Sequence, residues 1–141
     1  MPRIKKNNDL SMSMALADIK LVETVCINSK EAVPKYLKGL CAYHLQQAAE
    51  KLIKIQIYCS GVPINNAKIY KHSIIALLQY AQQLNVNINV PKAIISNAQT
   101  ITDWEALGRY DLHIVVRTDT LKKYYTVISE WYDELYKAGY R

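Results

Sequence analysis

The sequence predicts an all-α domain, folded as an up-and-down bundle of four to five helices. Its 141 residues, half of them hydrophobic, suit a single domain with a substantial core. It contains 4 glycines and 4 prolines, too few for the many turns of a β-sandwich. Apolar residues recur at steps of three and four along most of the chain, which is the period of a helix face. We expect residues 1–10 to form a flexible arm and residues 11–141 to form the one domain.

The first two predicted helices follow the arm. Ser11 or Ser13 is expected to cap the first helix. Its buried positions are expected to be Ala15, Ile19, Val22 and Cys26. The second and longest helix is expected over residues 34–60, because Pro34 suits a first turn and Gly61 suits a left-handed end. Its buried positions are expected to be Leu37, Cys41, Leu45, Ala48, Leu52, Ile55 and Cys59.

Two further helices are expected in the middle of the chain. Residues 61–70 are interpreted as a loop, and His72 and Ser73 as the start of the third helix. Residues 85–89 are interpreted as a connection to a fourth helix that opens at Pro91. The buried positions of these two helices are expected to be Ile74, Leu77, Leu78, Ala81, Leu84, Ile94, Ala98 and Ile101.

The last helix is expected after a connector over residues 109–117. A hydrophobic stretch at 114–116 could be a strand, but a single strand would have no partner. Thr118 or Asp119 is expected to cap the helix, and Gly139 to end it. Its buried positions are expected to be Leu121, Tyr124, Ile128, Trp131 and Leu135.

Composition narrows the classes of function. The 18 basic and 12 acidic residues give a net charge of +6, which suits an anionic partner. No run approaches ~18 apolar residues, so we expect no contact with a membrane. The polar start of the chain does not direct export, and three widely spaced cysteines without a C-x-x-C pair suit buried reduced thiols. These features together predict a cytoplasmic protein.

Motifs for metal or cofactor chemistry are missing from the sequence. The histidines His44, His72 and His113 form neither H-x-x-x-H nor H-E-x-x-H. Four scattered glycines provide no phosphate-binding loop, and no nucleophile elbow occurs. We therefore expect neither a metal nor a cofactor.

Two groups of polar residues remain as candidate sites. On the second helix, His44, Gln47 and Lys51 lie one turn apart; the alternative is a solvated face. In the connector, Arg109, His113 and Arg117 could neutralise a phosphate and transfer a proton; the alternative is local ion pairing of Arg109 with Asp111 or Asp103. A third feature, the carboxyl-terminal tyrosines, suits either base stacking or core and dimer contacts. These tyrosines are Tyr124, Tyr125, Tyr132, Tyr136 and Tyr140.

Three segments resemble HEPN domains. The run YHLQQAAEKLIK at 43–54 is similar to the signature of the family's second helix. The run KHSIIALL at 71–78 is similar to a later helix start, and RYD at 109–111 resembles the turn before the last helix. The three segments occur in the family's order, and the resemblance covers roughly residues 14–138.

The resemblance implies a helical bundle that is usually a homodimer. Members occur beside, or fused to, minimal nucleotidyltransferases. Some are metal-independent ribonucleases, including toxins of toxin–antitoxin pairs, which use an Arg and a His at the start of the last helix. Others bind nucleotides or act as scaffolds. On this resemblance Arg109 and His113 would be the catalytic pair, and a nucleotide or RNA would contact His44, Gln47, Lys51, His72 and Arg117.

The connector departs from the family's catalytic pattern. Only Tyr110, Asp111 and Leu112 separate Arg109 from His113, one residue fewer than the pattern has, and the proline of the turn is missing. On a helix, one residue rotates a side chain by ~100°. We therefore expect a binding module without catalysis of its own, for a nucleotide, a nucleic acid or a nucleotidyltransferase partner. The alternative is a metal-independent endoribonuclease.

Overall fold

The structure is a computed structural model that describes residues 10–107 and 116–141. Within these ranges every regular element is a helix, as the sequence predicts. The helices are α1 (Met12–Val22), α2 (Lys35–Cys59), α3 (Asn66–Ile69), α4 (Ile74–Gln83), α5 (Lys92–Ser96), α6 (Ala98–Leu107) and α7 (Thr118–Lys137), and a π-helical turn (Glu23–Ile27) continues α1. The predicted bundle is confirmed, since α1, α2, α4, α6 and α7 are its five longer members.

The long helix α2 is the centre of the bundle. It packs against α1, α4, α6 and α7. The predicted apolar stripe is correct at its centre, where Leu45, Ala48, Leu52 and Ile55 are fully buried. Because neighbours surround α2, some of its polar side chains are buried as well. They are Gln46, Glu50, Lys54 and Gln56.

Caps and turns fix most of the helix ends. Ser11 caps α1 by accepting a hydrogen bond from the amide of Met14, and Ser73 caps α4 in the same way. Gly61 follows α2 with a φ of 79°, the left-handed conformation that the sequence predicts there. The start of α7 differs from the prediction, because Arg117 occupies the cap position without a side-chain hydrogen bond.

Two short helices differ from the sequence-based prediction. The predicted loop at 61–70 contains α3, whose first turn is stabilised by the Asn65 side chain accepting from the amide of Ala67. The predicted fourth helix is divided into α5 and α6 at Asn97. The side-chain amide of Asn97 donates to the backbone carbonyl of Ala93, and the backbone of Asn97 is non-helical, which ends α5.

The connection between α4 and α5 is held to the bundle by side chains. Gln56 accepts from the amide N–H of Asn89 at 2.7 Å and donates to the carbonyl of Asn89 at 2.9 Å. The indole of Trp131 donates to the same carbonyl at 2.7 Å. These bonds tie α2, α7 and the connection together. No helix in the described ranges combines the length and the apolar character needed to cross a membrane.

Candidate polar cleft

A buried carboxylate on α1 contacts a histidine and a lysine of α2. One oxygen of Asp18 lies 2.7 Å from Nδ1 of His44, and its other oxygen accepts from Nζ of Lys51 at 2.6 Å. The Asp18 side chain is 10% exposed, so both contacts are largely shielded from water. A carboxylate at Nδ1 orients an imidazole and leaves its Nε2 to face other groups.

A second buried carboxylate, Glu50, is the centre of a larger network. One of its oxygens accepts from Nζ of Lys54 at 2.6 Å and lies 3.1 Å from Nδ1 of His72. Its other oxygen accepts from the side-chain amides of Gln46 at 3.0 Å and Gln47 at 3.4 Å. A carboxylate has about four acceptor positions, so the contacts of Glu50 use its full capacity.

Helix geometry explains why these groups meet. Gln46, Glu50 and Lys54 follow one another at steps of four residues, so they share one face of α2. His72 reaches this face because it directly precedes the cap of α4, and its carbonyl accepts from Gln46 at 3.0 Å. The packing of α1 along α2 brings Asp18 alongside.

Several side chains of the network line a cleft of about 310 Å³. Its polar lining consists of Gln47, Glu50, Lys51, Lys54 and His72. The rest of its lining is apolar or aromatic: Leu10, Met14, Tyr58, Ile69 and Tyr70. Such a combination of an apolar wall with a few fixed polar groups is typical of small-molecule sites.

The charges inside the cleft are balanced. Lys51 pairs with Asp18, and Lys54 pairs with Glu50. The two lysines and the two carboxylates therefore cancel in net charge. Each ammonium uses one of its three protons in its ion pair, which leaves donors for a ligand.

The predicted binding residues fall into two groups. Gln47, Lys51 and His72 line the cleft, and His44 joins the same network through Asp18. Arg117 is not with them, since it is an exposed residue at the start of α7. The alternative interpretation was a solvated helix face. It does not fit His44, Gln47 and Lys51, because all three are at least partly buried.

The predicted catalytic pair, Arg109 and His113, lies outside the described residues. The last residue before this segment, Leu107, lies beside α2 at Gly39, where an added Cβ would be 3.5 Å from the Leu107 carbonyl oxygen. Gly39 is twelve residues from Lys51, or about 18 Å along the helix. Leu107 therefore lies near the opposite end of α2 from the cleft.

Most of the carboxyl-terminal tyrosines lie in the core or pack against it, since Tyr125 and Tyr140 are partly buried beside it. Tyr124 and Tyr132 are buried. Tyr136 is exposed, but its ring already stacks on Tyr132 and lies 3.9 Å from the guanidinium carbon of Arg141. Core packing, rather than base stacking, accounts for most of these side chains.

Several residues of the cleft were not predicted as site residues from the sequence. Asp18 and Glu50 were missed because a charged residue in a helix is ordinarily exposed. The spacing of Gln46, Glu50 and Lys54 was the available signal, since it predicts mutual contacts on one face. Tyr70 was assigned to a loop and had no signal of its own.

The cysteines match the prediction of free thiols and do not form a site. Cys26 and Cys41 are buried, and Cys59 is half-buried. Burial raises the pKa of Cys41 to about 12, and burial also raises the pKa of Cys26 and of Cys59. In the part of the chain that is described, no three His, Cys, Asp or Glu side chains are grouped so as to hold a metal ion.

Comparisons with known proteins give no relative from which to transfer a function. The chain matches no protein-family model, no curated protein and no solved structure. The function of the cleft therefore has to be inferred from its own residues and from the resemblance of the three short segments.

Proposed function

We propose that this chain is a HEPN-like binding module that accepts a nucleotide or a nucleic acid in the polar cleft and has no catalytic activity of its own. The observation that carries the proposal is the composition of the cleft. Its lining combines lysine, glutamine, histidine and glutamate side chains with tyrosine, methionine and aliphatic side chains.

The size and lining of the cleft suit one nucleotide unit. Its volume of about 310 Å³ is at the lower limit of ordinary ligand sites, which begin at ~300 Å³. A base is flat and apolar on its faces, so it would lie against Met14 and Ile69 inside the cleft. The remaining protons of Lys51 and Lys54 would donate to ribose or phosphate oxygens.

The hydrogen bonding of the carboxylates supports binding rather than catalysis. A general base needs a lone pair that is directed at the proton it removes. Glu50 uses its acceptor positions within the protein, and Asp18 is engaged at both oxygens. Neither carboxylate is therefore arranged to take a proton from a ligand.

Two partners are proposed on the resemblance alone. They are a second copy of the chain and a minimal nucleotidyltransferase. The aromatic residues of α7 give no separate argument for a homodimer, because Tyr124, Trp131 and Tyr132 are buried within one chain.

Nucleotide titration of paired variants tests the proposed site. Met14 lines the cleft, whereas the neighbouring Ser13 is exposed and does not. An acidic residue is favourable in the first turn of a helix, so Met14→Glu and Ser13→Glu should both fold. Met14→Glu should weaken the binding of nucleoside monophosphates by about tenfold, because its carboxylate repels the phosphate, and Ser13→Glu should have little effect.

Calorimetry with the four nucleoside monophosphates provides the measurement. Equal affinities of the two variants would place the ligand elsewhere, and the absence of binding by the unmodified protein would reject the proposal. Cleavage of an RNA pool in EDTA that is lost in His113→Ala would support the ribonuclease alternative instead.

A further inference from the structure

The cleft has an exposed rim at the turn before α4. We define the rim as the three consecutive residues Tyr70, Lys71 and His72, which lie between α3 and α4. All three are exposed, and Tyr70 and His72 also line the cleft. The rim therefore joins the cleft to the outer surface.

Tyr70 has the properties of a stacking platform. It is 56% exposed, among the most exposed large hydrophobic side chains of the protein. None of the ring–ring or cation–π contacts among the described residues involves its ring. This differs from Tyr136, whose ring is covered by Tyr132 and Arg141. Aromatic rings of this kind bind the face of any base.

Lys71 supplies a positive charge that the cleft interior lacks. The lysines inside are neutralised by Asp18 and Glu50. No ion pair in the described part of the chain includes Lys71. Its neighbour His72 contacts Glu50 through Nδ1, and its Nε2 has no hydrogen bond within the described ranges. The positive charge that could neutralise a phosphate therefore lies at the rim and not inside the cleft.

We propose that the ligand is a single-stranded nucleic acid that leaves the cleft across this rim. One nucleotide unit occupies the cleft, a neighbouring base stacks on Tyr70, and Lys71 contacts the phosphate between them. The inference rests on the proposed function, since it extends the same cleft by a second subsite. A mononucleotide would reach His72 from inside the cleft and would leave Tyr70 and Lys71 without a ligand contact.

The start of α2 offers a matched control. Lys35 and Tyr36 are also consecutive, and both are exposed, Tyr36 to 75%. Gly39, one turn further along, is about 18 Å from Lys51, so this pair is remote from the cleft. Alanine at either pair removes the same side chains and the same charge. Because all four residues are exposed, the variants should keep their melting temperatures.

The experiment measures the affinity of a mononucleotide and of a mixed-sequence single-stranded octanucleotide by fluorescence anisotropy and calorimetry. The unmodified protein should bind the octanucleotide at least about tenfold more tightly than the mononucleotide. Tyr70→Ala should remove about tenfold or more of the octanucleotide affinity, whereas Tyr36→Ala should not. Lys71→Ala should reduce the salt dependence of octanucleotide binding by about one phosphate contact, whereas Lys35→Ala should not.

Each contrary outcome is distinct. Equal affinities for the mononucleotide and the octanucleotide would overturn the inference and leave the proposed function in place. Equal losses of octanucleotide affinity in the rim and control variants would also overturn the inference. The contribution of the ring or the charge would then not depend on where it lies on the surface. A protein that binds neither ligand would overturn the proposed function together with the inference.

Discussion

Glu50 is the residue on which the cleft most depends. It is buried, and it meets one cation, one histidine and two amides. Burying a charge costs several kcal/mol unless it is paired and hydrogen-bonded, so this network must be complete to be stable.

Removing Glu50 should therefore destabilise the fold strongly. Glu50→Ala leaves the ammonium of Lys54 buried at 7% side-chain exposure without its partner, for an expected cost of about 3–5 kcal/mol. Replacing both residues by methionine should restore much of this loss, because no charge then remains buried. Urea unfolding measures both effects. An unchanged unfolding midpoint for Glu50→Ala would show that the network contributes little.

Cys41 determines part of the response to alkaline pH. Burial raises its pKa to about 12 in the folded protein, from an ordinary value of 9.0. The folded state thus holds the thiol proton more tightly than the unfolded state does. The resulting stability is fully present below pH 9 and is lost as the pH rises from 9 toward 12.

Cys41→Ala should consequently lose less stability between pH 9 and pH 12 than the unmodified protein does. Urea unfolding across this range measures the slopes of the two proteins. Cys59→Ala removes a half-buried thiol whose pKa is raised less, so it should change the slope less than Cys41→Ala does. Parallel slopes for Cys41→Ala and the unmodified protein would mean that the buried thiol is not responsible.

At the scale of the helices, apolar spacing was sufficient to predict which faces are buried. Ala15, Ile19, Val22 and Cys26 are all buried in or directly after α1, as expected. All five predicted core positions of α7 are buried as well. The period of three and four residues determines these faces, because water is excluded from one side of each helix.

Local hydrogen bonds explain what the spacing did not predict. The side chain of Asn65 stabilises the short α3, and that of Asn97 marks the break between α5 and α6. Asparagine can form either a turn or a cap, so its effect depends on neighbours that the sequence does not identify. The buried polar face of α2 was missed for a related reason, since its partners come from α1 and from the turn before α4.

The assignment of Ala48 to the buried face of α2 can be tested by substitution. This residue is fully buried at the centre of the helix. Ala48→Glu would bury a carboxylate without a partner and should cost several kcal/mol, enough to threaten a domain of ordinary stability. Ala17→Glu, at an exposed position of α1, should change stability by about 0.5 kcal/mol or less. Circular dichroism melting compares the two variants. Equal melting temperatures would show that Ala48 does not lie on the buried face.

At the scale of the whole molecule, the packing of the helices separates Arg117 from the other predicted binding residues. The polar face of α2 opens into the cleft with His72, whereas Arg117 and the attachment of the 108–115 segment at Leu107 lie apart from it. The sequence indicated the residue types of both regions. It could not indicate their separation, because that depends on how the helices pack.

The central claim is that a nucleotide binds in the cleft between α1, α2 and the start of α4. Amide chemical shifts from NMR, followed as a nucleoside monophosphate is added, test this location directly. The claim predicts saturable shifts at Met14, Lys51 and His72, with none at Lys35 or Gly39 at the other end of α2. Shifts confined to Arg109, His113 and the start of α7 would contradict it, as would a spectrum that the nucleotide leaves unchanged.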